Sequence, residues 1–510
     1  MLTIVAAVSS RTATLRRLVV ETLAERLDSE VELGAFSVDT FPRVFVRGTG
    51  LVVRLRGARD IPPLVKIESF SIEGGIFGLL QRPRRFSLVT LQGLEINIPP
   101  GGPNRRDPGS PSPADTPGEA EPGQTGPENR RDSTGIHVEK LLSSDALLRI
   151  IPRKAGKDPK EFAIHWLEID GVGVEGRMPF RAELTNPLPR GMIRTEGQFG
   201  PWNREAPAGT PVQGRYVFEN VNLSTVKGIG GTLSSTGEFG GRLERIEVNG
   251  ETETPDFHLA YARRPIPLTT RFHAVVDGTD GDTYLETVNA QLRRTPMVAS
   301  GAIVGIPGKG RSVQVNVDIT QGRVEDILHL VMKSGAPVLT GHLALKTDFN
   351  LPPGPGDVVE RLQLRGAFDL DAAGFTDGGV SGKLASMSAR ASGTDPDNAP
   401  DRVLTDLEGR FTVTRATVSL PDVRFRLPGA AVQLAGTYGL RSEEMEFDGT
   451  LRMQATVSEA AGGGIKGFLL KAVDPLFRKK GAGAVLPIKV RGTRDEPKLG
   501  LDVVKAITPK

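Results

Sequence analysis

Leu420-Pro421-Asp422-Val423-Arg424-Phe425-Arg426-Leu427-Pro428-Gly429-Ala430-Ala431-Val432-Gln433-Leu434-Ala435-Gly436-Thr437-Tyr438 decides the fold. Val423, Phe425 and Leu427 alternate with Arg424 and Arg426, then Val432 and Leu434 flank Gln433. A strand sends successive side chains to opposite faces, so each run buries one apolar face and wets the other. Pro428-Gly429 punctuates the two runs as a tight turn does between antiparallel neighbours.

The same reading extends outward from Arg361 to Lys498. Leu362, Leu364, Phe368 and Leu370 alternate with Gln363, Arg365 and Asp369. Met445 and Phe447 sit between Glu444, Glu446 and Asp448, with Leu451, Met453, Ala455 and Val457 following. Leu486-Pro487-Ile488-Lys489-Val490-Arg491-Gly492-Thr493 closes the stretch, ahead of Pro497.

Composition agrees. The 510 residues are 38% hydrophobic and 5% aromatic, with 61 Gly and 38 Pro. That Gly and Pro content, without a collagen period, implies many turns and one disordered segment. There is no cysteine, which excludes a disulfide scaffold, a zinc–thiolate site and a cysteine nucleophile. Lys and Arg number 64 against 61 Asp and Glu, so no polyanion-binding surface and no nucleic-acid partner are expected.

From the start of the chain, residues 2–8 are apolar but shorter than the roughly 20 residues that span a bilayer. They read either as a frayed terminus or as the exit end of a membrane helix or signal sequence. Residues 14–27 carry Leu15, Leu18, Val19, Thr22, Leu23 and Leu27 at helical spacing, which predicts an amphipathic helix. The period then becomes two, predicting short strands at 31–33, 44–46, 51–55, 70–72, 86–88 and 94–98, with an apolar turn or helix at 76–80. Residues 99–134 are dense in Pro, Gly and charge and predict a disordered loop. A second helix is expected over 138–150. Strands resume at 162–164, 167–169, 216–218, 243–248, 272–274 and 313–317. A third helix is expected over 324–333, ended by Ser334-Gly335. Residues 1–98, 99–134, 135–358 and 359–505 are the expected divisions.

Chemistry-bearing motifs are sparse. The six histidines, His137, His165, His258, His273, His329 and His342, fall singly, without the spacing of a metal site. Asp277-Gly278-Thr279-Asp280-Gly281-Asp282 fails as a calcium loop, because Thr279 and Gly281 stand at its third and fifth positions. A hairpin turn is expected there instead. Gly308-Lys309 lacks the upstream glycine of a P-loop, and no Gly-x-Ser-x-Gly elbow occurs. No enzymatic activity and no cofactor are expected. Residues 465–480 form a basic amphipathic segment, with Ile465, Phe468, Leu469, Val473, Leu476 and Phe477 on one side and Lys466, Lys471, Arg478, Lys479 and Lys480 opposite. It reads either as a cap packed on the sheet or as a helix meeting an anionic membrane or a partner groove.

The C-terminal stretch resembles the AsmA-like family of Gram-negative envelope proteins, relatives of the bridge-like lipid-transfer proteins. The carriers are Leu420–Phe425, Pro428-Gly429-Ala430, Leu434–Tyr438, Phe447-Asp448-Gly449 and Pro487–Thr493 with Pro497. At the other end they are the amphipathic helix and Glu32-Leu33-Gly34-Ala35-Phe36-Ser37-Val38. Together these ends cover about half the chain.

The resemblance implies a mainly β protein whose long curved antiparallel sheet forms an elongated, taco-like β-groove with a few short capping helices. It implies a periplasmic location, association with the inner membrane through an N-terminal segment, phospholipid as partner alongside other envelope proteins, and a part in lipid transport and outer-membrane biogenesis or homeostasis. The sequence departs from the family at its start, where an anchor is missing or reduced to residues 2–8. Val315, Val317, Leu362, Leu364, Val432 and Leu434 are the candidates for the groove lining. Alternation is equally the mark of a packed β-sandwich. A structural or assembly factor of the outer membrane, with a filled β-core and no lipid cargo, therefore stays open as the second reading.

Overall fold

Alternating sequence has become alternating burial. In the computed structural model, the run Val423–Leu427 reads buried, exposed, half-buried, exposed, buried, and Ala430–Leu434 reads buried, exposed, buried, exposed, half-buried. The structure describes residues 16, 17, 20, 21, 24, 29–39, 44–55, 62–75, 84–98, 136–151, 159–173, 176–201, 207–376, 405–453, 484–493 and 496–501. These form 25 strands in one mostly antiparallel sheet, with few helices.

The chain divides into two compact units. The first comprises Met1–Val221, Thr236–Asn249 and Val275–Asp282. It contains β1 (Ser29–Glu32), β2 (Phe36–Asp39), β3 (Val44–Leu55), β4 (Val65–Gly74), β5 (Arg84–Ile98), β6 (Ile136–Ile150), β7 (Lys160–Val172), β8 (Met178–Pro187), β9 (Arg190–Phe199) and most of β10 (Pro211–Asn222). The strands β12 (Thr232–Arg242), β13 (Arg245–Leu259) and β14 (Ile266–Val276) contribute residues to both units, while β11 (Ile229–Gly230) belongs to the second. The second unit continues with β15 (Thr283–Leu292), β16 (Thr295–Ile306), β17 (Gly310–Arg323), helix α1 (Val324–Val331), β18 (Leu339–Leu351), the single turn α2 (Val358–Arg361) and β19 (Gln363–Phe375). It ends with β20 (Thr405–Thr414), β21 (Thr417–Leu427), β22 (Ala430–Gly439), β23 (Glu444–Met453), β24 (Ala484–Thr493) and β25 (Pro497–Leu501).

In the first unit, several pairs of expected short strands are single long ones. Residues 44–46 and 51–55 both belong to β3, 86–88 and 94–98 to β5, and 162–164 and 167–169 to β7. The break in alternation has a shared cause. Gly50, Glu68, Gly93, Asp145 and His165 lie level with one another across β3 to β7. Gly50, Gly93 and Asp145 take φ of 63°, 62° and 53°. A left-handed residue inside a strand flips which face the following side chains occupy, as in a bulge. Leu91 and Leu94, three apart, are therefore both buried. They join Ile67 and Ala146 in this unit's core.

The same row corrects the expected helix over 138–150. Those residues form β6, which lies parallel to β5 with Val89 opposite Leu141 and Ile96 opposite Leu148. Ser143 and Ala146, three apart across the kink at Asp145, are both buried, a spacing that mimics a helical stripe. A parallel neighbour needs a crossover of a dozen residues or more, and residues 99–135 supply that connection.

The expected third helix is α1, which ends at Val331, two residues before the expected end. Asp277–Asp282 is a hairpin turn as expected: the Asp277 carboxylate accepts from the backbone N–H and hydroxyl of Thr279, at 2.8 and 2.6 Å, and Gly281 N–H donates to Asp277 O. Of the expected N-terminal helix, Arg16, Arg17, Val20, Glu21 and Ala24 are helical; its other residues lie outside the described ones. So do residues 2–8, 76–80 and 99–134, Ala455, Val457 and the basic segment 465–480. Strands β8, β9, β15, β16 and β18 carry no separate expectation; in β9 and β16, Gly, Thr and Ala hold many of the inward positions and dilute the period.

Candidate functional site: the apolar face of the second unit

Residues opposite one another in antiparallel strands share a face, so the register assembles the inward side chains into rows. One row runs Ile319, Leu345, Phe368, Gly409, Val423, Leu434, Gly449, Ile488 across β17 to β24. Beside it run Val317, Thr347, Gly366, Phe411, and then Val315, Phe349, Leu364, Val413, Val418, Tyr438, Met445. On the other side lie Phe425, Val432, Leu451, Leu486. Hydrophobic side chains thus dominate one face of eight consecutive strands.

Five of the six lining candidates are brought together here: Val315 and Val317 on β17, Leu364 on β19, Val432 and Leu434 on β22. The sixth, Leu362, stands at the end of α2, ahead of β19, with its N–H donating to Val358 O at 2.8 Å. The membrane- or partner-facing set Ile465, Phe468, Leu469, Val473, Leu476 and Phe477 lies outside the described residues.

The aromatic residues of this face were missed as a pattern, although a signal exists. Gly366-Ala367-Phe368 and Gly409-Arg410-Phe411 are the same Gly-x-Phe motif, and the register sets each Phe opposite the other strand's Gly. A Cβ on Gly366 would meet the Phe411 ring at 2.7 Å, and one on Gly409 the Phe368 ring at 2.7 Å. Leu434-Ala435-Gly436 and Phe447-Asp448-Gly449 repeat the exchange on β22 and β23. There a Cβ on Gly436 would meet Phe447 at 2.6 Å and one on Gly449 the Leu434 side chain at 2.6 Å. Glycine leaves room for a large neighbour to lie down over the backbone instead of standing up from the sheet. Phe411, Leu434 and Phe447 accordingly remain half-buried.

The opposite face is charged. Lys346 pairs with Asp318 at 3.3 Å, Arg424 with Asp422 at 2.8 Å, and Arg491 with Asp448 at 3.1 Å. In the first unit Glu168, nearly buried, accepts from Lys140 at 2.6 Å and Arg181 at 2.7 Å. The Lys140 hydrogen bond, and then that of Arg181, hold the Glu168 carboxyl below the usual glutamate range. An open depression of about 700 Å³ on the charged side of the second unit is lined by Glu251, Arg271, Asn289, Val298 and Asp318. Arg271 pairs there with Glu251, and Asp318 with Lys346. Among the described residues no three or more His, Asp or Glu are grouped to hold a metal ion. No described helix is long and apolar enough to cross a membrane.

Fold and face together define a class: a mainly β protein built on a sheet with one apolar and one charged side. The chain matches no family model, no curated protein and no solved structure.

Proposed function

We propose that this chain is an AsmA-like envelope protein that binds lipid acyl chains along the apolar face of its sheet. Phospholipid transport, or homeostasis of a Gram-negative outer membrane, is the role this reading gives it, from a periplasmic position at the inner membrane. The observation that carries the reading is the half-buried state of Phe368, Phe411, Leu434 and Phe447, laid flat over facing glycines. A packed core would have them interlocked with a second layer. Each methylene of an acyl chain that covers them gains about 0.8 kcal/mol, and the uncharged face demands no headgroup chemistry along its length.

The second reading, an assembly factor with a filled core, draws on α1, whose Val324, Ile327 and Leu328 join the buried cluster that holds Leu343 and Leu370 and fill part of the face. Lipid extraction and mass spectrometry of the purified protein separate the two. Phospholipid retained in stoichiometric amount supports the conduit; its absence after mild purification favours the filled core.

A further inference from the structure

Successive antiparallel strands alternate direction, so their connections alternate between the two margins of the sheet. The β17–β18 connection, which carries α1, therefore leaves from one margin. The β18–β19 connection with α2, and the β22–β23 turn, lie on the other. Yet Lys333, just beyond α1, donates from Nζ to the backbone oxygen of Arg441 in the β22–β23 turn, at 3.3 Å. Strands of about ten residues would hold the margins of a flat sheet some 33 Å apart, whereas an eight-residue helix is about 12 Å long. The strands of this unit must bend over their apolar side for α1 to meet both margins.

The two ends of α1 are held differently. At the first, Asp326 is fully buried, accepting from Thr295 Oγ1 and Arg294 N–H, each at 3.1 Å, with the Arg294 guanidinium at 3.4 Å. At the second, Tyr261 Oη donates to Val331 O. Burial, with Tyr438 and Glu443 nearby, pushes the Tyr261 hydroxyl up to about 12. His329 accepts from Arg264 at Nδ1, which leaves Nε2 to donate to Pro265 O. Beyond it, Arg441 pairs with Glu360 at 2.8 Å and with Asp357, the residue that caps α2 through Val359 N–H. All three of these charged side chains are about half exposed. The Lys333 bond to Arg441 O is exposed as well, and exposed charged contacts are weak and exchange readily with water, unlike a buried, fully bonded carboxylate.

We propose that α1 is a bar across the mouth of the second unit's apolar face, hinged at Asp326 and latched by Lys333 on the Arg441 backbone oxygen, which retains an acyl chain until the latch opens. This rests on the lipid-binding reading above. The cysteine-free chain suits a direct test, with nitroxide labels on Ala336→Cys and Glu444→Cys and pulsed electron resonance to read their separation. In parallel, a fluorescent phosphatidylcholine analogue is loaded and its release to phosphatidylcholine vesicles followed. Lys333→Ala, which removes the donor to Arg441 O, is expected to lengthen the label separation and to speed release severalfold, with Tyr261→Phe acting in the same direction as a milder variant. Normal uptake with unchanged separation and unchanged release in both variants overturns the bar and leaves lipid binding standing, as does a lowered melting temperature alone. Failure of the unmodified protein to take up the analogue overturns the lipid reading, and the bar with it.

Discussion

The glycines of the apolar face are defined by what lies above them. At Gly436 an added Cβ would stand 2.1 Å from Glu446 O and 2.6 Å from Phe447 Cα. Both obstacles are backbone and cannot swing aside, so Gly436→Ala is expected to cost about 1–3 kcal/mol in denaturant unfolding. Gly240→Ala, whose Cβ meets nothing nearer than Gln213 Cβ at 3.8 Å, serves as the neutral control. Glu168 gives a second test at this scale. Its folded-state pKa is lowered, so its stabilisation is present above the unfolded pKa, roughly 4.3, and fades as pH falls through the folded value. Glu168→Gln is therefore expected to be less stable than the unmodified protein at pH 7, with the two unfolding curves converging in acid. A constant difference down to pH 3 would assign the loss to packing instead.

At the scale of elements, β5 and β6 make the sharpest case. Arg84–Ile98 and Ile136–Ile150 pair in parallel over nearly their whole length. The ladder, not the connection, holds the two sides together. A protease site engineered into residues 99–135 and cut under native conditions is expected to leave the two pieces co-eluting in size-exclusion chromatography, separating only in denaturant. Fragments that part on cutting would mean that the ladder contributes little. Sequence reading failed here for a physical reason. The kink row at Gly50, Gly93 and Asp145 resets the inward phase within each strand, so a period of two, read locally, appears as two strands or as a helix.

Over the whole molecule, the distinction that matters is between a lined face and a filled core. Val315→Asp, Leu364→Asp and Leu434→Asp combined are expected to abolish lipid retention while the far-ultraviolet circular dichroism stays that of a β protein. Carboxylates that reach water along an open face keep their hydration, whereas in a sealed core they would lose it at a cost of several kcal/mol. Global unfolding caused by any one of the three would decide for the filled core.

The sequence by itself determined the strand-rich architecture, the alternation of apolar and charged faces, the position of α1 and the apolar-face placement of Val315, Val317, Leu364, Val432 and Leu434. All of these follow from local periodicity and turn chemistry, which act over a few residues. It also contained the Gly-x-Phe motifs, but their meaning depends on a register that pairs Gly366 with Phe411 and Phe368 with Gly409. Only the tertiary structure decided that register, the parallel pairing of β5 with β6, the placement of Leu362 at the end of α2 rather than on a strand, and the meeting of Lys333 with Arg441 across 108 residues. Each of these joins groups far apart in the chain. Their energy depends on partners that no local window contains.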